Sequence, residues 1–300
     1  MPPKHSLRIP QIDASLDKPL NVDAPPTIYG TTLKPEFATA AINLAIDFIK
    51  RSQSIANQYL LFHPLTLFTI SLFLVTYWAI NLVFPTNITA TSVSGYLYQF
   101  AVVNKHALGS GLLFTVILTS FVFTLLSRVT DTYFKSKINE ITEANGETVF
   151  GVNLKNLIVK DSEEGKSKQL QNTHIVVYRE TPIALVTVSE NKALSSPESL
   201  VIAISSIGCR KVYTKSGILE DLLDWTMIRT RSIAKEGNYG NSMKILYAVY
   251  SFDKDTKQVL KSKGFKLIQA VKVQDNRILG GLFGLKTELW GVQFRIEQDK

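Results

Sequence analysis

The chain has 300 residues, 33 Lys and Arg against 25 Asp and Glu, and a formal net charge of +8; 45% of its residues are hydrophobic and its mean hydropathy is +0.10. That balance is too apolar for one soluble domain and too charged for a polytopic transporter, so a short membrane part joined to a longer soluble part is expected. A single cysteine, Cys209, excludes an internal disulfide framework and any multi-cysteine metal or iron–sulfur site, and His5, His63, His106 and His174 form no pair at ligand spacing. The basic excess is interleaved with acids, which fits a protein beside an anionic membrane surface and gives no nucleic-acid footprint.

Residues 1–35 concentrate prolines, including Pro2, Pro3, Pro10, Pro19, Pro25, Pro26 and Pro35, and are expected to be irregular. Residues 36–58 read as an amphipathic helix, with Phe37, Ala41, Leu44, Ala45, Phe48 and Ile55 on one side and Asp47, Lys50, Arg51 and Gln58 elsewhere. Such a helix beside a membrane span lies in the interface or packs on the soluble domain. Two runs without Asp, Glu, Lys or Arg follow, at 59–84 and 107–127. As helices they cover roughly 39 and 31 Å, enough for the core of a bilayer, so a two-span transmembrane hairpin is expected within residues 59–127.

Lys50 and Arg51 precede the first span and Arg128, Lys135 and Lys137 follow the second, whereas the loop Pro85 to His106 carries only Lys105. The positive-inside rule then puts both termini in the cytosol. Asn87-Ile88-Thr89 in the loop is a glycosylation acceptor pattern, but Pro85 and Thr86 alone separate it from the span, too close to the bilayer for efficient modification. Apart from His63 at one edge the spans hold no ionisable residue, which argues against a transport route. Gly111, Thr115 and Thr119 recur every fourth residue, a stripe of small residues that either closes the hairpin on itself or docks on a partner's membrane helices.

Residues 128–147 are expected to continue as a helical connector until Asn145-Gly146 stops it. From residue 148 to 300 the period changes. Strand patterns at 174–178 and 183–188 flank a turn at Arg179 to Pro182; then come a strand at 199–207, a helix at 219–234, a strand at 243–250, a helix at 254–263, and strands at 265–273 and 291–297. The order gives a three-layer α/β domain of cytosolic location. Arg210, Lys211 and Lys215 gather after the third of these strands, as a solvated basic patch or a contact for a phosphate-bearing ligand. The glycines at 280, 281 and 284 mark a tight turn, Glu163 to Lys168 a charged surface loop, and no nucleophile-elbow spacing is present. Cys209 reads as a core residue, and no catalytic residue, metal ligand or cofactor site is expected from these patterns.

The stretch Ile204 to Trp225, with the strand and helix order around it, resembles the Gcn5-related N-acetyltransferase superfamily over residues 148–300. The resemblance implies a loop whose backbone N–H groups hold the pyrophosphate of acetyl-CoA at a helix N-terminus. On Thr214-Lys-Ser-Gly217-Ile-Leu219 only the first glycine of that loop is kept: Thr214 replaces an Arg or Gln, and Leu219 a small residue. The position that often carries a Tyr general acid, four residues before Gly264-Phe265, holds Leu260, which has no proton to give. The fold class is therefore a two-span α-helical hairpin plus a degenerate N-acetyltransferase-like α/β domain, kept for binding. Asp17 to Glu36, Leu60 to Leu65 and Ser127 to Lys137 together resemble the fungal ER packaging chaperones of the high-affinity phosphate permease. That resemblance implies a non-catalytic ER membrane protein without cofactor. It would assist folding and ER exit of a phosphate permease, with coat or ER-exit machinery as a further partner and Gly111, Thr115 and Thr119 as candidate contacts for client helices. A membrane-anchored N-acyltransferase and a structural subunit of a membrane complex are the alternatives.

Overall fold

The computed structural model of the chain describes residues 27–84, 92–159 and 169–295. Asn87, the loop Glu163 to Lys168 and the last two residues of the strand expected at 291–297 lie outside the described residues. The helices are α1 (Ala38–Leu61), α2 (Pro64–Asn81), α3 (Val93–Val103), α4 (Lys105–Glu143), the short α5 (Glu147–Phe150) and α6 (Leu154–Val159), α7 (Ile218–Glu236) and α8 (Lys254–Ser262). The strands are β1 (Ile28–Thr32), β2 (Thr173–Tyr178), β3 (Thr181–Glu190), β4 (Ser199–Cys209), β5 (Ser242–Tyr250), β6 (Lys266–Lys272) and β7 (Lys286–Arg295). They form one seven-stranded sheet in the order β1-β2-β3-β4-β5-β7-β6, in which β4 and β5 are the parallel pair and every other pairing is antiparallel.

Local chemistry accounts for the turns. Arg179 (φ 47°) and Glu180 (φ 63°) both take left-handed backbone between β2 and β3, as a two-residue hairpin with the handedness of the sheet requires. Asn145 (φ 47°) and Gly146 (φ 82°) end α4 in the same left-handed region, and the Gly146 N–H bonds the Ile141 carbonyl at 2.8 Å.

Several expectations are corrected. The N-terminal segment is not irregular up to residue 35: Ile28 to Thr32 adds an edge strand, with Ile28 opposite Tyr178 and Thr32 opposite His174. The uncharged run 59–84 is not one helix. α1 runs to Leu61, and a new helix begins at Pro64, whose missing N–H suits a first turn and whose ring cannot continue the preceding one. His63 caps it, its Nδ1 accepting from the Leu65 N–H at 3.2 Å. The connection between the apolar helices contains α3, and the second apolar run and the connector after it are one uninterrupted 39-residue helix, about 58 Å long. β7 begins at Lys286, earlier than the residue 291 expected.

While β6 is exposed along its length, the centre of the sheet is covered on both faces. On one, Leu222 and Leu223 of α7 and Leu260 of α8 pack on Ala184, Val186, Ile202 and Ile245. On the other, Ala41, Leu44 and Ala45 of α1 pack with α5 and α6 residues on Ile175, Val177 and Leu185. Each fully buried Leu here stabilises by roughly 1.5–3 kcal/mol relative to an exposed one. α2 and α4 are long and apolar enough to cross a membrane, and Phe68, Leu72, Val75, Leu112, Val116 and Ile117 stand exposed on them.

A third cluster joins these parts. Ala56 and Leu60 of α1, Tyr133 and Phe134 of α4, Phe252, and Leu279 and Phe283 from the β6–β7 connection are buried together. The Tyr133 and Tyr250 hydroxyls meet at 3.2 Å, and Tyr250 and Phe252 stack at 5.2 Å. Just above, Thr130 of α4 is fully buried and donates to the Asn57 side chain of α1. Thr130→Val keeps the shape and removes the donor, so it should destabilise the protein by about 1–3 kcal/mol. Denaturant unfolding in detergent, followed by tryptophan fluorescence, checks this; an unchanged midpoint would show that the bond does not hold α1 to α4.

Candidate functional site

The parallel pair β4–β5 is in register from Ser199 opposite Ser242 to Ile204 opposite Tyr247 and no further. Beyond that point Ser206 to Cys209 stay with β3, while Ala248 to Tyr250 stay with β7. The two strands therefore part at their carboxyl ends, where open α/β sheets form crevices. A cavity of about 370 Å³ occupies the gap. The sheet contributes Ile207, Gly208, Cys209, Tyr247 and Tyr250, and α7 contributes Leu219. The opposite wall comes from α1 (Phe48, Arg51) and α4 (Phe134, Lys137, Glu140).

α1 reaches into the gap because β4 has a glycine there. A Cβ on Gly208 would lie 2.8 Å from the Phe48 ring, so only glycine lets that ring rest on the strand. Cys209 is buried, and burial pushes its thiol above the ordinary range, against the opposing pull of the Arg51 guanidinium and a hydrogen bond with Thr214. A thiol kept protonated is a poor nucleophile. Burial also raises the Tyr247 and Tyr250 phenols, with Asp253 adding to the first and Tyr133 to the second, so both stay neutral donors. Among the described residues no group of three His, Cys, Asp or Glu could hold a metal ion.

The residues singled out in the sequence fall in different places. Gly217 (φ 82°) sits before the first turn of α7, the Thr214 hydroxyl donates back to the Lys211 carbonyl at 2.8 Å, and Leu219 lines the cavity. Leu219 and Phe48 line the cavity from opposite sides, one on α7 and one on α1. Leu260, 1% exposed, is a core residue against Phe265 and Trp290. Lys211 and Lys215 are exposed, Arg210 is half-buried, and none of the three lines the cavity.

Of the stripe on α4, Gly111 packs against the other helix of the hairpin. Gly111 is buried, and a Cβ there would lie 2.8 Å from the Trp78 ring of α2. The Tyr77 hydroxyl meets Ser110 Oγ at 2.7 Å, and the Tyr77 ring stacks on Phe114 at 4.7 Å. Thr115 donates to the Gly111 carbonyl at 2.8 Å, and Thr119 follows half-buried. The small residue at 111 thus closes the hairpin. Sequence reasoning missed Phe48, Arg51, Phe134 and Lys137 as cavity residues. Phe48 was legible only as one member of an apolar helix face, with nothing local to say what that face covers.

Comparison with known proteins gives a match along most of the chain. The profile of Pho86, described as inorganic phosphate transporter chaperone, matches residues 10–294. No curated protein matches the chain. Among solved structures, Arabidopsis thaliana Naa50 bound to the bisubstrate analogue CoA-Ac-MVNAL is 14% identical with a TM-score of 0.34, over 52% of this chain and 93% of that one. Arabidopsis thaliana NAA60 with a bisubstrate analogue is 13% identical with a TM-score of 0.33, over 46% and 87%. The ribosomal-protein-S18-alanine N-acetyltransferase of Escherichia coli is 11% identical with a TM-score of 0.30, over 43% and 72%. Likenesses this distant carry no argument about activity.

The seating of Phe48 on β4 can be tested directly. Gly208→Ala puts a Cβ 2.8 Å from the Phe48 ring, so it should lower stability by about 1–3 kcal/mol, read from the midpoint of denaturant unfolding. An unchanged midpoint would show that the ring does not rest on the strand.

Proposed function

The chain belongs to the Pho86 family of inorganic phosphate transporter chaperones, and from that membership we propose that it resides in the ER membrane and assists the folding and ER exit of a phosphate permease. The observation that carries this is the match over residues 10–294, which includes both apolar helices and the α/β domain. In this account α2 and α4 cross the bilayer with both termini in the cytosol, a topology supported by Lys50, Arg51, Arg128, Lys135 and Lys137 at the cytosolic ends.

The outward faces of the hairpin suit transient contact with a client's helices. Thr69, Thr76 and Thr124 donate to carbonyls four residues back, at 2.9, 2.8 and 2.8 Å. Their hydroxyls are satisfied within their own helices, which leaves an apolar surface of Phe68, Leu72, Val116 and Ile117 that a client can pack on and leave. The cytosolic domain then holds client loops or recruits exit machinery. It acts by binding: Leu219 and Phe48 stand in the cleft, and Leu260 is a buried core side chain without a transferable proton. Gly111→Leu would test closure of the hairpin and not client contact, because of Trp78.

The experiment is to delete the gene in its host and follow a fluorescently tagged phosphate permease beside an amino-acid permease. Retention of the phosphate permease in the ER with normal delivery of the control is expected; normal delivery of both would overturn the proposal.

A further inference from the structure

The connection between β6 and β7 is packed against the base of the hairpin. Leu279 and Phe283 are buried with Leu60 of α1 and Tyr133 and Phe134 of α4. The Phe283 ring lies 5.2 Å from that of His63, in the short break where the chain passes from α1 into α2. Gly280 fixes the turn there, since the Val273 carbonyl fills the space that any Cβ would take. Lys137 of α4 adds an ion pair to Asp275 at 3.4 Å.

On the other side of this turn, Ile278 and Leu282 point outward, 44% and 60% exposed. They are four residues apart in a single turn of π-helix, so both present on one side. Exposed basic residues flank them: Lys272, Arg277 and Lys286. At the same level Phe62, in the break, is 64% exposed. An apolar tip with a basic collar is the pattern of an interfacial anchor, in which aliphatic groups enter the acyl boundary and cations meet anionic headgroups.

The length of α2 brings a bilayer to this level. Its 18 residues span about 27 Å, less than the roughly 30 Å of a hydrocarbon core, so the core's edges extend past both its ends, on this side to the break at His63 and the turn beside it. We infer that the β6–β7 turn inserts Ile278 and Leu282 into the cytosolic leaflet, with Lys272, Arg277 and Lys286 against anionic phospholipid headgroups. The α/β domain is thereby held against the membrane at a second point besides the hairpin. This rests on the proposal that α2 and α4 cross a bilayer.

The full chain carrying Cys209→Ala and Leu282→Cys is labelled with an environment-sensitive dye and reconstituted into phosphatidylcholine–phosphatidylserine vesicles. Leu72→Cys on α2 and Lys192→Cys on the β3–β4 connection serve as references. The dye at 282 is expected to emit blue-shifted from that at 192 and to be quenched by nitroxides high on the lipid chains, less so with Arg277→Glu or without phosphatidylserine. Emission at 282 like that at 192, with 72 quenched by lipid, would overturn the inference and leave the spanning topology standing. A site 72 untouched by lipid quenchers would overturn both. A blue shift at 282 without lipid quenching would show that protein, a second copy or a client, covers the turn instead. Quenching indifferent to lipid charge and to Arg277→Glu would reject the headgroup contacts.

Discussion

α4 does not stop where its apolar stretch ends at Ser127; it continues through roughly four more turns, and there Thr130, Tyr133, Phe134 and Ile141 are buried against α1 and the sheet. A helix unbroken over 39 residues cannot hinge at the boundary between its two halves, so the hairpin and the α/β domain share one rigid axis. The Asn57–Thr130 contact and the aromatic cluster around Tyr250 hold it against the domain. Any displacement of the hairpin is then carried into the domain.

The same constraint shapes the cleft. α1 lies between α4 and the sheet, and the gap between β4 and β5 is walled on that side by Phe48 resting on Gly208. The parting of the strands is a property of the sheet's topology, whereas its occupation by α1 is a property of this chain. The cavity left in this crevice is walled by the same helices that attach the hairpin to the domain.

Much of the layout was legible because it is local. The β-branched run Ile175-Val-Val177, the amphipathic face of α7 and the Asn145-Gly146 stop are written in adjacent residues. What was hidden depends on distant partners. β1 is five residues after a proline-rich tract, and its strand conformation comes from pairing with β2, almost 150 positions later. The break at Pro64 lies inside an uncharged run, and hydropathy does not register a missing backbone N–H. Thr214, Gly217 and Leu219 could be placed at the mouth of the cleft from a loop pattern, but its far wall is built by α1 and α4, whose apolar faces reveal that something is covered without revealing what. The stripe left two uses open, and the Trp78 ring against Gly111, from a distant helix, is what the sequence could not show.

The central claim, transient contact between the hairpin's outward faces and a newly made phosphate permease, is tested most directly by photo-crosslinking. A photoreactive residue at Leu112 or Val116, both exposed on α4, is incorporated in the host, and the permease is pulse-labelled. The account predicts crosslinks to the phosphate permease soon after synthesis that disappear during the chase as the permease leaves the ER. Crosslinks to one set of proteins that persist unchanged through the chase, with none to the permease, would contradict it.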